Sequence, residues 1–319
     1  MAMESLSALI KQWPTGKNAL QEADRMMKEL LEDPLVQRLR ADNPELDRET
    51  IRLNLNRVYQ YVKEQRSCSN CPGLDQCPND FEGHYTLLSC ETIGDTVQLN
   101  DRKVTCNKLR ARQSEEQIRS RVHSFYVDET ALSQGYSADE ILTNDLKRSK
   151  AVMQVLQYID KTKDSGLQRK GLYLAGSFGT GKTFLMCYML YELAKVGYTG
   201  AIVYMPDFVE DLKTLMHEPG KLKEAVDLMK ETDLLIFDDI GAENLNPWAR
   251  DHVMGAILNY RMNRKPTFYT SNYDLDMLER HFSFTNREGD ELHKGQRLMD
   301  RVRPYVDTVF VTGHNKRGR

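Results

Sequence analysis

Along the first part of the chain, apolar residues recur at helical spacing: Leu20, Met26, Met27, Leu30 and Leu31, then Leu53, Leu55, Val58, Tyr59 and Val62. Residues three and four apart share one helix face, so these sets predict amphipathic helices across 17–66. Asp33-Pro34 and Asn43-Pro44 punctuate them as turns and helix starts. From about 145 the pattern changes. LYLAG (172–176), AIVYM (201–205), LLIFDD (234–239), TFYTSN (267–272) and TVFVT (308–312) are short apolar runs separated by long amphipathic segments such as 246–262. Apolar strands alternating with helices predict an α/β fold with a parallel sheet covered on both faces.

Between these regions lies a cysteine-rich stretch, 67–107, which reads as loop-rich with only a short strand-like patch. The segment 102–121 carries seven Lys or Arg against two Glu and reads as a basic helix, for which a solvated face is the plain explanation. The expected organisation is therefore a helical, cysteine-bearing domain (1–107), a basic connector (108–140) and an α/β domain (141–319). At 319 residues the chain exceeds one compact core, and with 40% hydrophobic and 29% charged residues it has a globular composition. A net charge of −3 gives no overall attraction to nucleic acid, so such contacts must be local. No apolar run is long enough to span a bilayer, and the N-terminus lacks the features of a secretory signal; a cytoplasmic protein with no membrane partner is expected.

Gly176-Ser177-Phe178-Gly179-Thr180-Gly181-Lys182-Thr183 fits G-x-x-x-x-G-K-[ST] throughout. Glycines let the backbone turn its N–H groups toward phosphate oxygens, and the following helix adds the positive end of its dipole. Lys182 is expected on the β and γ phosphates and the Thr183 hydroxyl on Mg²⁺. Leu234 to Asp239 is the expected second half, an apolar strand that delivers Asp238 toward Mg²⁺ and Asp239 toward the attacking water. Asn272, at the tip of the next strand, is placed to touch the γ-phosphate or that water; a helix cap is its other reading. Arg297 and Arg301 share a helix face, which by itself reads as a surface charge cluster.

Five of the six cysteines (Cys68, Cys71, Cys77, Cys90 and Cys106) fall in one short stretch, while Cys187 sits in an apolar helix as an inert buried thiol. A reducing cytosol disfavours disulfides, so metal binding leads. Cys68-x-x-Cys71 is a two-ligand turn, with Cys77, His84, Cys90 and Cys106 competing for the second pair; thiolate and imidazole donors suit Zn²⁺.

Taken in order, GSFGTGKT, LLIFDDIGAE, YTSN and RLMDRVRPY resemble the AAA+ ATPases of the DnaC/DnaI-type helicase-loader family, and the cysteine-bearing helical region ahead of them resembles its Gram-positive branch. The resemblance implies an AAA+ P-loop domain behind a zinc-binding, helicase-contacting domain. It assigns Lys182 and Thr183 to Walker A, Asp238 and Asp239 to Walker B, and Asn272 to sensor 1. It assigns Arg301 to an arginine finger acting on a neighbour's nucleotide, Arg317 to sensor 2, and Cys68, Cys71, His84 and Cys106 to zinc. The implied activity is weak, Mg²⁺-dependent ATP hydrolysis. The implied partners are a hexameric DnaB-type helicase, single-stranded DNA, other primosome proteins and further copies of the AAA+ domain. Two departures point to slow, switch-like turnover: Asp-Asp replaces the usual Asp-Glu, and the sequence stops soon after its fifth strand without a helical lid. A DNA-binding transposition or regulatory ATPase and an adaptor with a structural ATP site remain as alternatives.

Overall fold

The computed structural model describes residues 24–94, 96–125, 146–285 and 289–315. Contacts divide the chain into two units, Met1–Glu115 and Glu116–Arg319.

In the first unit, helical residues 24–32 lead into α1 (Pro34–Asp42), α2 (Arg48–Leu53) and α3 (Leu55–Ser69). Asp33 caps α1 by accepting from Leu35 N–H at 2.8 Å, and Asp47 caps α2 by accepting from Thr50 N–H at 2.7 Å. Each satisfies an amide that the first helical turn leaves unpaired. Met27, Leu30, Val36, Leu46, Ile51, Val58, Val62 and Leu99 form the core. Leu53 and Tyr59, predicted on the same face as Val58, are instead exposed: the break between α2 and α3 resets the helical phase for Leu53, and Tyr59, the next residue after Val58 in α3, is turned about 100° from it.

The cysteine stretch is more ordered than its composition predicts. Strands β1 (His84–Ile93) and β2 (Thr96–Thr105) make a ten-pair antiparallel hairpin, His84 opposite Thr105 and Ile93 opposite Thr96. The basic pair Arg102-Lys103, read as the start of a basic helix, belongs to β2; the helix α4 is Asn107–Arg121. Glu64 of α3 is buried against this hairpin. It accepts from Thr86 N–H (2.6 Å), Thr86 Oγ1 (2.7 Å) and Gln60 Nε2 (2.6 Å), and is paired with Lys103.

The second unit is built on β3 (Val122–Phe125), β4 (Gly171–Ala175), β5 (Gly200–Tyr204), β6 (Leu234–Asp238), β7 (Thr267–Ser271) and β10 (Val306–Phe310), a parallel sheet in the order β10-β4-β7-β6-β5-β3. β3 lies within the stretch 108–140 read as connector, so the structure corrects that part of the reading: four apolar-to-polar residues were too short a run to announce an edge strand. Helices α5 (Ser149–Ser165), α6 (Lys182–Lys195), α7 (Met205–Leu215), α8 (Pro219–Glu231), α9 (Gly255–Arg261), α10 (Leu275–Ser283) and α11 (Leu292–Met299) surround it. A two-residue ribbon, β8 (Phe284–Thr285) with β9 (Gly289–Asp290), joins α10 to α11.

Alternate strand residues enter two cores. Leu172, Leu174, Ile202, Ile236 and Phe268 pack on one face with α5 and α6, and Tyr173, Val203, Phe237 and Tyr269 on the other. A sheet buried on both sides needs uninterrupted apolar strands, which is what the sequence shows. The segment read as one amphipathic helix over 246–262 contains a π-helical stretch, Ala249–Met254, before α9. Its Arg250 is fully buried, bonded to Asp251, Glu291 and the Phe282 carbonyl.

Candidate functional site

Strands β4, β6 and β7 are neighbours, and their carboxyl ends open on the same edge of the sheet. In open α/β sheets this is where ligands bind. The loop after β4 turns through Gly179 (φ 72) and Gly181 (φ 88), left-handed conformations that favour glycine. A Cβ on Gly176 would stand 2.2 Å from the Val311 carbonyl oxygen, so a side chain there would displace the end of β10. α6 begins at Lys182 directly after the loop, so its unpaired first-turn amides face the cradle.

Lys182 is largely buried. Its ammonium donates to the Gly176 carbonyl (2.9 Å), the Ser177 carbonyl (3.0 Å) and Asn272 Oδ1 (2.8 Å). Asn272 Nδ2 in turn donates to Asp239 Oδ1 at 2.9 Å. A continuous chain, Lys182–Asn272–Asp239, thus crosses the cradle. Asp238 is buried and accepts from Thr183 Oγ1 (3.1 Å) and Thr270 Oγ1 (2.6 Å). Burial pushes its carboxyl above the ordinary value, against the pull of those two hydroxyls. Asp239 has φ 54 and its N–H donates to Thr270 Oγ1 at 2.9 Å. Asn and Asp tolerate this conformation better than other non-glycine residues.

Thr270 therefore positions both acids, a role sequence reading missed; only the short polar tail of the apolar run marks it. Arg148 was also missed. It is buried beside the loop, with Nη1 3.5 Å from the Thr180 carbonyl oxygen. Glu243, another acid after β6, is buried, accepting from Gly241 N–H at 2.7 Å and facing His281 Nε2 at 3.0 Å.

Arg301 donates to the Arg297 carbonyl (2.6 Å) and faces Asn259 Oδ1 at 3.4 Å. With Asp251, His252, Lys294 and Arg297 it lines a cavity of about 520 Å³ that shares no residue with the cradle. Arg303, from the same cluster, is an ion-pair partner of Asp276 and Glu279. Arg317 lies outside the described residues.

Around Cys68, Cys71, Cys77, His84 and Cys106 the first unit forms a separate cavity of about 220 Å³. Asn79 Nδ2 donates to Cys68 Sγ, Gly83 N–H to Cys77 Sγ and Leu109 N–H to Cys106 Sγ, each at 3.4 Å. His84 Nδ1 lies 2.9 Å from the Glu82 carbonyl oxygen, which turns Nε2 outward from that bond. Cys90 lies instead against the hydrophobic core of the unit, opposite Leu99. As the side chains stand, no three His, Cys, Asp or Glu among the described residues form a metal-holding group. The donor set fits zinc chemically, since four thiols and an imidazole share one cavity.

Comparison with known proteins covers both units. Residues 3–97 match the family model described as "Primosomal protein DnaI N-terminus", and residues 142–318 match "IstB-like ATP binding protein". The chain is 32% identical over 306 residues to the replicative helicase loader DnaI of Bacillus subtilis (strain 168), spanning 95% of this chain and 96% of that one. The crystal structure of a DnaI superposes with a TM-score of 0.51 at 32% identity, covering 63% of this chain and all of that one.

Proposed function

The chain belongs to the family of the replicative helicase loader DnaI, and on that premise we propose that it is an ATP-dependent loader. It holds a hexameric DnaB-type helicase through its cysteine-bearing unit and delivers it to single-stranded DNA within the primosome. The observation that carries this reading is that similarity to the loader runs through 306 residues, the cysteine-bearing half included. An ATPase match alone would suit a transposition ATPase equally well.

The cradle residues supply the nucleotide chemistry. Loop amides and Lys182 receive the phosphates, and Thr183 and Asp238 would hold Mg²⁺, which would offset phosphate charge. Asp239 orients the attacking water and Asn272 senses the γ-phosphate. Lys182 and Asp239 are both tied to Asn272. A phosphate bound by Lys182 competes with Asn272 for that ammonium, so Lys182, Asn272 and Asp239 respond together. Asp239 is one methylene shorter than glutamate, which supports slow hydrolysis and use of ATP as a switch.

Arg301, on a cavity that shares no residue with its own cradle, acts on a neighbouring copy's nucleotide. Arg317 is assigned to the γ-phosphate from the sequence alone. For zinc we retain Cys68, Cys71, Cys106 and His84. The Glu82 carbonyl on Nδ1 supports His84, because a ligating imidazole is commonly fixed by giving its other N–H to an oxygen acceptor.

Capture experiments separate the readings. The full chain should retain a replicative helicase hexamer on a column and leave duplex DNA in the flow-through; the reverse pattern would favour the transposition-type ATPase.

A further inference from the structure

The phosphate loop is held by two segments, one just before α5 and one just after β10. Val311 N–H donates to the Ala175 carbonyl at 2.7 Å, and Thr312 Oγ1 donates to the Lys147 carbonyl at 2.8 Å. Asn315 lies so close that a Cβ on Gly179 would be 1.9 Å from its Oδ1. Arg148 completes this collar. It is 4% exposed, and its Nη1 would be 2.5 Å from a Cβ on Gly181. Gly181 is needed for its φ of 88°, and a Cβ there would push the Arg148 guanidinium aside.

We infer that Arg148 is a positioning residue of the nucleotide site: from outside the loop it fixes the Thr180–Gly181 peptide so that the Gly181 N–H faces the phosphates. The inference rests on the ATP-dependent reading above. Its physical basis is the planarity of the peptide unit. In a trans peptide the C=O and the next N–H point in opposite directions. A cation held against the outward Thr180 carbonyl therefore turns the Gly181 N–H inward. Arg148 also immediately precedes α5, so the peptide is anchored to a rigid element rather than to a loop alone.

The test uses the full-length chain, with fluorescent N-methylanthraniloyl ATP and ADP as probes. Arg148→Ala should weaken both nucleotides roughly tenfold, the weight of one charge-assisted hydrogen bond. Arg148→Lys should recover most of that loss, because it keeps the charge; Arg148→Gln should recover little. KM for ATP should rise in proportion while kcat at saturation stays within about twofold, since the reacting groups are untouched. Ala affinity within about twofold of wild type would overturn the inference. So would equal losses in Ala, Lys and Gln accompanied by a lowered melting temperature without nucleotide, which would mean Arg148 only packs. A wild-type chain that binds neither probe would remove the ATP site itself, and this role with it.

Discussion

Asp239 is the residue at which backbone and chemistry meet most closely. Its left-handed φ places the carboxylate beside Asn272, and Thr270 holds its amide. Asparagine accepts the same conformation, so Asp239→Asn should fold normally and bind ATP, yet hydrolyse it at least about 10²-fold more slowly for want of a charge to orient water. Single-turnover hydrolysis measures this directly; an unchanged rate would remove Asp239 from the chemistry. At the cysteine cavity the residues that discriminate between the proposed zinc ligand sets are Cys77 and His84. His84→Ala should lower zinc content well below one per chain, whereas Cys77→Ser should retain it. The opposite result would transfer the fourth ligand to Cys77, whose sulfur already accepts the Gly83 N–H. Stripping zinc should unfold the cysteine segment and leave the ATPase unit folded. Structural zinc contributes about 10–16 kcal/mol of apparent binding energy in peptides, more than so small a segment can otherwise supply.

Among the elements, α8 ends on a single side chain. Arg261 of α9 is buried and donates to the carbonyls of Met229, Lys230, Thr232, Asp233 and Pro266, satisfying oxygens that a helix end and its exit turn leave open. Burial lowers its guanidinium to about 10, so it stays charged at neutral pH. Arg261→Met should therefore cost about 3 kcal/mol in denaturant unfolding, the range expected when buried acceptors lose a charged donor; a loss below about 1 kcal/mol would show that water replaces it. In the first unit, burial tends to raise the Glu64 carboxyl, but bonds from Lys103, Thr86 and Gln60 outweigh it and hold the carboxyl below its ordinary value. A lowered folded pKa gives stability that is present above the unfolded value and is lost as pH falls through the folded one. Thermal melting should show that unit weakening on acidification below about pH 4.5, with the Glu64→Gln chain less stable at pH 7 and less sensitive to acid. Equal acid sensitivity in the two chains would contradict the assignment.

These elements were unequally legible in the sequence. Strands β4, β5, β6 and β7 could be read because a sheet buried on both faces leaves continuous apolar runs. The phosphate loop could be read because its glycines and lysine are contiguous. The β1–β2 hairpin was hidden by Asp101-Arg102-Lys103, whose charges look helical or looped until Lys103 is seen to meet buried Glu64. Thr270 and Arg148 were hidden because each acts on partners about thirty residues away, Asp238 and Thr180, with no local pattern to announce it.

For the whole molecule, similarity extends through two units that contacts separate at 115/116. One carries the cysteine cavity and the other the phosphate cradle, so partner capture and nucleotide control should be separable by mutation. Lys182 offers the cleanest cut, since its ammonium is bonded to the Gly176 and Ser177 carbonyls and to Asn272, all at the cradle. The direct measurement is transfer of a replicative helicase hexamer onto closed circular single-stranded DNA, read as helicase retained on the circle after gel filtration. The wild-type chain should load the helicase with ATP, while Lys182→Ala should still bind the helicase but leave the circles bare. Loading by Lys182→Ala equal to wild type, or no helicase binding by either chain, would contradict the account.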